Sequence, residues 1–223
     1  MKGIIIFSSL IILSYGSLVI FHDKNHNITN YLKYFSSLDD IIVLRENFTY
    51  LDYVNIKNNY DVKAYIYPGG FSNITNKSSN YWRYVNLTYP DNKPIFAICS
   101  GFQHLLKKMY PSIKLVRCFM YNFIVDNKLH NHKWCIKRTP LLSNFTTKYF
   151  KLYDNEYLES YESSNIFATT YHPEKVDSCI HDNKIYKQSI TDLITFYKKI
   201  HPDKTMTMKP FKKINSSNIY FYY

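Results

Sequence analysis

The stretch Pro94-Ile95-Phe96-Ala97-Ile98-Cys99-Ser100-Gly101-Phe102-Gln103 decides how this chain reads. Pro94 to Ile98 is a short apolar run with β-branched and aromatic members, as in a parallel strand buried on both faces. From Ser100 to Tyr110, small, apolar and basic residues follow at helical spacing. A strand that turns into a helix around a cysteine, with glycine close behind, predicts a nucleophile elbow. Gly101 would allow the tight turn and leave the thiol exposed, at the positive end of the helix dipole. Cys99 is therefore the candidate nucleophile. The plain alternative is a buried core cysteine at a strand end.

Upstream of the elbow the chain alternates strand and helix signals. Ser17–His22, Asp40–Leu44 and Val62–Tyr67 read as strands, with helical spacing over Asn27–Ser37, Tyr50–Lys57 and, loosely, Ser79–Leu87. This alternation predicts an α/β fold with a mostly parallel central sheet, and ligands bound at the carboxyl ends of its strands. Downstream the pattern changes to shorter strands: Lys114–Arg117, Phe119–Val125, Lys133–Lys137, Tyr149–Leu152 and Ile166–Thr170. An amphipathic helix over Ile185–Ile200 closes the pattern, with Ile190, Leu193, Ile194, Tyr197 and Ile200 on one face. The tail from His201 to Tyr223 shows no strong periodicity.

With 223 residues, 46% of them apolar, the chain can build one sizeable core and is short for two. One domain is expected over residues 17–200. Residues 201–223 form a tail that packs on it or extends it. Met1-Lys2, an apolar run from Gly3 to Leu13 and then Ser14-Tyr15-Gly16 read as a secretory leader over residues 1–16. That run is too short to span a bilayer, so no stable membrane insertion is expected after cleavage. A buried first strand is the competing reading. Glycosylation sequons begin at Asn27, Asn47, Asn73, Asn76, Asn86, Asn144 and Asn215, in keeping with secretion, although so Asn-rich a chain produces some by chance.

The balance of 28 Lys and Arg against 17 Asp and Glu leaves a net charge of +11. That would attract a polyanion or an acidic substrate. The charge is scattered and mostly Lys, so it describes a solvated surface better than a nucleic-acid groove, and no nucleic-acid partner is expected. Cys99, Cys118, Cys135 and Cys179 are too few for a disulfide framework. If Cys99 stays reduced, the other three allow one bridge and a leftover.

A cysteine nucleophile needs a base and the base needs an orienting partner. Thr169-Thr170-Tyr171-His172-Pro173-Glu174 follows an apolar strand, so His172 sits at a strand end. Glu174, two residues on, can hold the far imidazole nitrogen. Backbone N–H groups of Gly70, in Pro68-Gly69-Gly70, and of Ser100 could receive the charge of a tetrahedral intermediate. His130-Asn131-His132 could suggest a metal pair, but two histidines without cysteine or acidic partners make a poor site, and no metal or other cofactor is expected.

Pro-Gly-Gly, then a strand bearing Cys-x-Gly-x-Gln, then His-Pro-Glu resembles the class I glutamine amidotransferase superfamily, whose fold is three-layered and flavodoxin-like. Within it, the chain looks most like the γ-glutamyl hydrolases. Cys99-Ser100-Gly101-Phe102, His132-Lys133-Trp134, Glu174-Lys175 and the tail around Asn215-Ser216-Ser217 and Tyr220-Phe221-Tyr222 carry that likeness. The resemblance implies Cys99 as nucleophile, His172 as base and then acid, and Glu174 as orienting carboxylate. It also implies Gly70 and Ser100 as the oxyanion hole, with Gln103, His132, Trp134 and Thr170 around a small γ-glutamyl substrate. Folate poly-γ-glutamate is the implied substrate class, in a secreted, lysosomal or vacuolar setting, with homodimerisation left open. Gln103 departs from the Glu common in these hydrolases and matches the amidotransferases, while Thr170 stands where both groups usually have Gln. Two alternatives follow: a glutaminase subunit releasing ammonia from glutamine, and an inactive relative that acts as a binding protein.

Overall fold

The computed structural model describes residues 17–23, 27–36, 38–70, 74–125, 128–175, 183–202 and 219–222. The stretch expected to be a leader, the sequons at Asn73 and Asn215, Cys179 and most of the tail lie outside the described residues. The strands are β1 (Ser17–His22), β2 (Asp40–Arg45), β3 (Val62–Tyr67), β4 (Ile95–Ile98), β5 (Leu115–Val125), β6 (Lys128–Ile136), β7 (Thr146–Leu152), β8 (Asn155–Glu162), β9 (Ile166–Thr169) and β10 (Ile219–Tyr222). The helices are α1 (Thr29–Phe35), α2 (Tyr50–Asn59), α3 (Asn80–Thr88), α4 (Ser100–Met109) and α5 (Asn183–Ile200).

Eight strands make one sheet in the order β10-β2-β1-β3-β4-β9-β8-β7, parallel from β10 to β9 and antiparallel across β8 and β7. The mixed α/β fold with a mostly parallel central sheet is therefore as the sequence predicts. Runs such as Leu18-Val19-Ile20-Phe21 and Ile41-Ile42-Val43-Leu44 are buried throughout because helices cover both faces. On one face Leu18, Ile20, Ile66, Phe96 and Ile98 pack against α1 and α5. On the other, Val19, Phe21, Tyr65, Tyr67 and Ile95 pack against α2, α3 and α4. Helix starts are locally encoded. Thr49 and Asp52 form a capping box on α2, and the Ser79 side chain accepts the Trp82 N–H at the start of α3.

Two features differ from the sequence expectation, an added strand and the joining of two expected strands into one. β8 was not foreseen, because Asn155-Glu156-Tyr157-Leu158-Glu159-Ser160-Tyr161-Glu162 carries three carboxylates; Glu159 is nevertheless buried, paired with Lys128 at 2.5 Å. The expected strands Lys114–Arg117 and Phe119–Val125 are one strand, β5, whose pairing with β6 shifts register between Arg117 and Met120 and again before Phe123. The aperiodic tail supplies β10, which extends the sheet beside β2. Among the described residues no helix is long and apolar enough to cross a membrane.

β1 has β2 on one side and β3 on the other, so the chain changes direction across the sheet there. The carboxyl ends of β3, β4 and β9 then open side by side, at the place where parallel sheets bind ligands. Phe96 anchors β4 from beneath, with ring centroids 5.4 Å from Phe35 and 5.5 Å from Phe196. Phe96→Ala is expected to cost about 3–5 kcal/mol, read as a lower urea midpoint with an unchanged slope.

Candidate active site

β4 ends at Ile98 and the chain reverses into α4 at Cys99, which adopts φ 51° and ψ −113°. Few residues with a side chain take such a φ, and strain of this kind gathers at functional sites. The Cys99 N–H donates to the Thr169 carbonyl at 2.8 Å, pinning the elbow to the end of β9. Gly101 is needed for a different reason from the one the sequence suggests, since none of the described glycines has a positive φ. A Cβ on Gly101 would lie 2.0 Å from the Tyr67 carbonyl oxygen and 2.5 Å from its carbon. The glycine lets α4 press directly on the end of β3.

His172 follows β9, and its Nδ1 lies 2.7 Å from Glu174 Oε1. Both side chains are almost fully buried. Burial alone would push the His172 pKa down; the Glu174 carboxylate, helped by Cys99, more than reverses this and holds it up at about 10. Glu174 is raised by burial and pulled below its usual range by His172 and Tyr31. Gly69 shows how close the pieces are: a Cβ there would be 2.9 Å from His172 Cε1 and 3.0 Å from Cys99 Cβ.

Tyr31, on α1, is a member that the sequence reading missed. Its hydroxyl accepts the Gly69 N–H at 2.8 Å and acts on the Glu174 carboxylate. It thereby ties the Pro68-Gly69-Gly70 turn to the His172–Glu174 pair. The hint in the sequence was a tyrosine on the apolar face of the first helix.

The hairpin of β5 and β6 roofs the site. The His172 N–H donates to the Leu129 carbonyl at 2.9 Å. The Asn131 carbonyl lies 3.3 Å from His172 Nε2 and 3.8 Å from Cys99 Sγ, so both catalytic candidates meet the same backbone oxygen. A cavity of about 580 Å³ opens here, lined by Gly70, Cys99, Ser100, Gln103, Tyr121, His132, Lys133, Trp134, His172 and Lys175 among others. Ser100 is the first residue of α4, where a backbone N–H has no partner within the helix.

Most of the expected site residues thus converge. Gln103 donates from Nε2 to the Trp134 carbonyl at 2.7 Å, which leaves its amide oxygen as the acceptor. His132 lines the cavity with both nitrogens engaged: Nδ1 donates to the Trp134 carbonyl at 3.1 Å, and Nε2 accepts from His130 Nδ1 at 3.0 Å. Burial and the nearby His172 charge hold His132 down at about 4, so it is a neutral wall. Thr170 was expected at the substrate and does not line the cavity; its hydroxyl lies within bonding range of the Leu158 and Glu159 carbonyls of β8. Cys118 and Cys135 form a disulfide and Cys99 is free. The same fold brings both bridged cysteines beside His132, partners that the sequence reading had not placed near the histidines.

No family model and no curated protein matches the chain in sequence. Solved structures do match in shape. A protein of Thermoplasma acidophilum assigned as part of a GMP synthase superposes with a TM-score of 0.54 at 15% identity, covering 85% of this chain and 98% of its own. A glutamine amidotransferase of Thermotoga maritima gives 0.54 at 11%, covering 84% and 98%. PurLQS of Thermotoga maritima gives 0.55 at 16%, covering 81% and 99%. The chain shares their fold. Identity this low carries the architecture and leaves the activity to the site.

Two outcomes test this geometry. Gly101→Ala forces a Cβ into the β3 backbone and is expected to destabilise by about 3 kcal/mol or more, measured by urea unfolding. The His172 pKa is raised on folding, so the native state keeps a proton that the unfolded chain loses. The resulting stability is complete below pH 6.5 and disappears as pH climbs to about 10. The urea midpoint should fall across that range in the wild type and fall less in Glu174→Gln; equal slopes would refute the coupling.

Proposed function

We propose that the protein is a cysteine hydrolase that cleaves γ-glutamyl amide bonds. The observation that carries this is Cys99 on its strained elbow, beside a buried His172–Glu174 pair, lining one cavity. His172 holds the proton on Nε2, and Cys99 attacks the γ-carbonyl carbon as the thiolate. The N–H groups of Gly70 and Ser100 receive the oxyanion. His172 then gives its proton to the leaving nitrogen and the C–N bond breaks, leaving a γ-glutamyl thioester. Water, deprotonated by His172, attacks the thioester; the C–S bond breaks, glutamate is released, and the thiolate is restored beside protonated His172.

Two leaving groups fit this scheme. A γ-linked glutamate chain, as in folate poly-γ-glutamates, is supported by a cavity larger than a lone glutamine needs, with Lys133 and Lys175 in its lining to attract carboxylates. Ammonia from glutamine is supported by the fold shared with a glutamine amidotransferase and by Gln103, which completes the Cys-x-Gly-x-Gln run that resembles the amidotransferases. The Cys118–Cys135 bridge supports a secreted or lysosomal setting, since disulfides persist away from the reducing cytosol.

Glutamate and ammonia release are measured side by side from a γ-linked oligoglutamate and from glutamine. The oligoglutamate is expected to be cleaved, and Cys99→Ala to lower turnover by more than about a thousandfold. Ammonia from glutamine alone would move the assignment to a glutaminase. No Cys99-dependent product from either substrate would leave a binding protein.

A further inference from the structure

The hairpin carries a cluster that the proposed reaction does not use. His132 Nδ1 lies 3.6 Å from Cys118 Sγ and 3.8 Å from Cys135 Sγ. The three donor atoms fall within 4.8 Å of one another, and His132 and Cys135 are buried. A zinc ion held tetrahedrally by one imidazole nitrogen and two thiolates keeps each N···S pair at about 3.5 Å. His132 Nδ1 already stands near that spacing from both sulfurs, which come from the two strands of one hairpin and part only when their bond is reduced.

Oxidised, the two sulfurs bind each other and offer no thiolate. A dithiol reductant changes this: it passes two electrons and two protons to the bridge, its own sulfurs close into a disulfide, and Cys118 and Cys135 become thiols. Binding of a divalent ion then releases the two thiol protons. Two thiolates with an imidazole favour a soft ion over magnesium or calcium.

His132 can supply its nitrogen without leaving a new unpaired group. Its Nδ1–H now donates to the Trp134 carbonyl, which Gln103 Nε2 also serves at 2.7 Å, so that oxygen keeps a partner when His132 turns to the ion. The proton balance closes on His130. At present His130 Nδ1 donates to His132 Nε2, and His130 Nε2 is buried with no hydrogen-bond partner. In the other tautomer of the pair, His132 Nε2–H donates to His130 Nδ1, and His130 carries its hydrogen on Nε2. His132 Nδ1 is then a bare lone pair facing both sulfurs. A ligating histidine that donates from its far nitrogen to a fixed partner is the usual support of a metal site.

We propose that Cys118, Cys135 and His132 form a redox-gated site for a soft metal ion such as Zn²⁺, closed by the disulfide and opened by a dithiol reductant. The three protein ligands leave a fourth position for water. Since His132 and Trp134 line the cavity beside Cys99, an ion held there slows turnover; that consequence rests on the function proposed above, whereas binding itself does not.

The test uses full-length Cys99→Ala protein, so that the candidate nucleophile cannot ligate, with Co²⁺ as the spectroscopic probe. It is titrated after treatment with a phosphine reductant and, in parallel, without it. The reduced protein is expected to develop a cobalt–thiolate charge-transfer band that saturates at one ion per chain and is displaced by Zn²⁺, while the oxidised protein stays silent. Adding Cys118→Ser should abolish the band, and adding His132→Gln should weaken Co²⁺ binding at least about tenfold. No band after reduction, a band without reduction, or a band that survives Cys118→Ser would overturn the proposal. If the serine variant does not fold, the comparison of reduced with oxidised protein and the His132→Gln affinity decide it.

Discussion

The structure depends on one close approach, α4 against the end of β3 at Gly101. With the Tyr67 carbonyl oxygen 2.0 Å from where a Cβ would sit, no other residue type allows the helix to begin there. The approach sets where α4 begins, and so where β4 must stop. Cys99 then carries the whole reversal in a single residue at φ 51°. The bond from its N–H to the Thr169 carbonyl fixes the same point against β9, which delivers His172. A contact with no chemistry of its own thus places the sulfur and the imidazole on neighbouring strand ends.

Burial then governs how the groups behave. His172 and Glu174 are both removed from water, which would make either one alone neutral. Held at 2.7 Å, each keeps the other charged, and Tyr31 adds a hydroxyl that serves Gly69 and the carboxylate together. His130 and His132 show the opposite case. Without a carboxylate partner, burial holds them at about 3 and about 4, so they are neutral beside a charged histidine. The difference between histidines in one small region comes from what each imidazole faces.

Much of this was legible in the sequence where the physics is local. Short apolar runs buried on both faces announce parallel strands, and Ile98-Cys99-Ser100-Gly101 announces a turn into a helix. His172 and Glu174 are two residues apart, so their pairing needs no tertiary knowledge. Tyr31 is different: its hydroxyl matters because the Gly69 N–H, in the turn after β3, meets it 38 residues later in the chain. β8 was hidden because Glu159 looks like a solvent-facing residue until Lys128, from the hairpin, meets it. β10 shows no pattern that names its partner β2, and only the open sheet edge gives it a place. The break read between two strands at Cys118 has a physical basis, since β5 shifts register there and Phe119 takes φ 46°.

The hairpin of β5 and β6 is where these threads meet. It pairs with itself, outside the main sheet, and rests on β7 and β8 through Met120, Cys135, Phe150 and Tyr157. Its Asn131 carbonyl faces both Cys99 and His172, and its Trp134 carbonyl holds both Gln103 and His132. A change in the hairpin's position therefore acts on Cys99, His172 and the pocket wall at once. The Cys118–Cys135 bridge lies within this one element and joins its two strands. A covalent link placed there constrains the part of the fold that the main sheet does not hold.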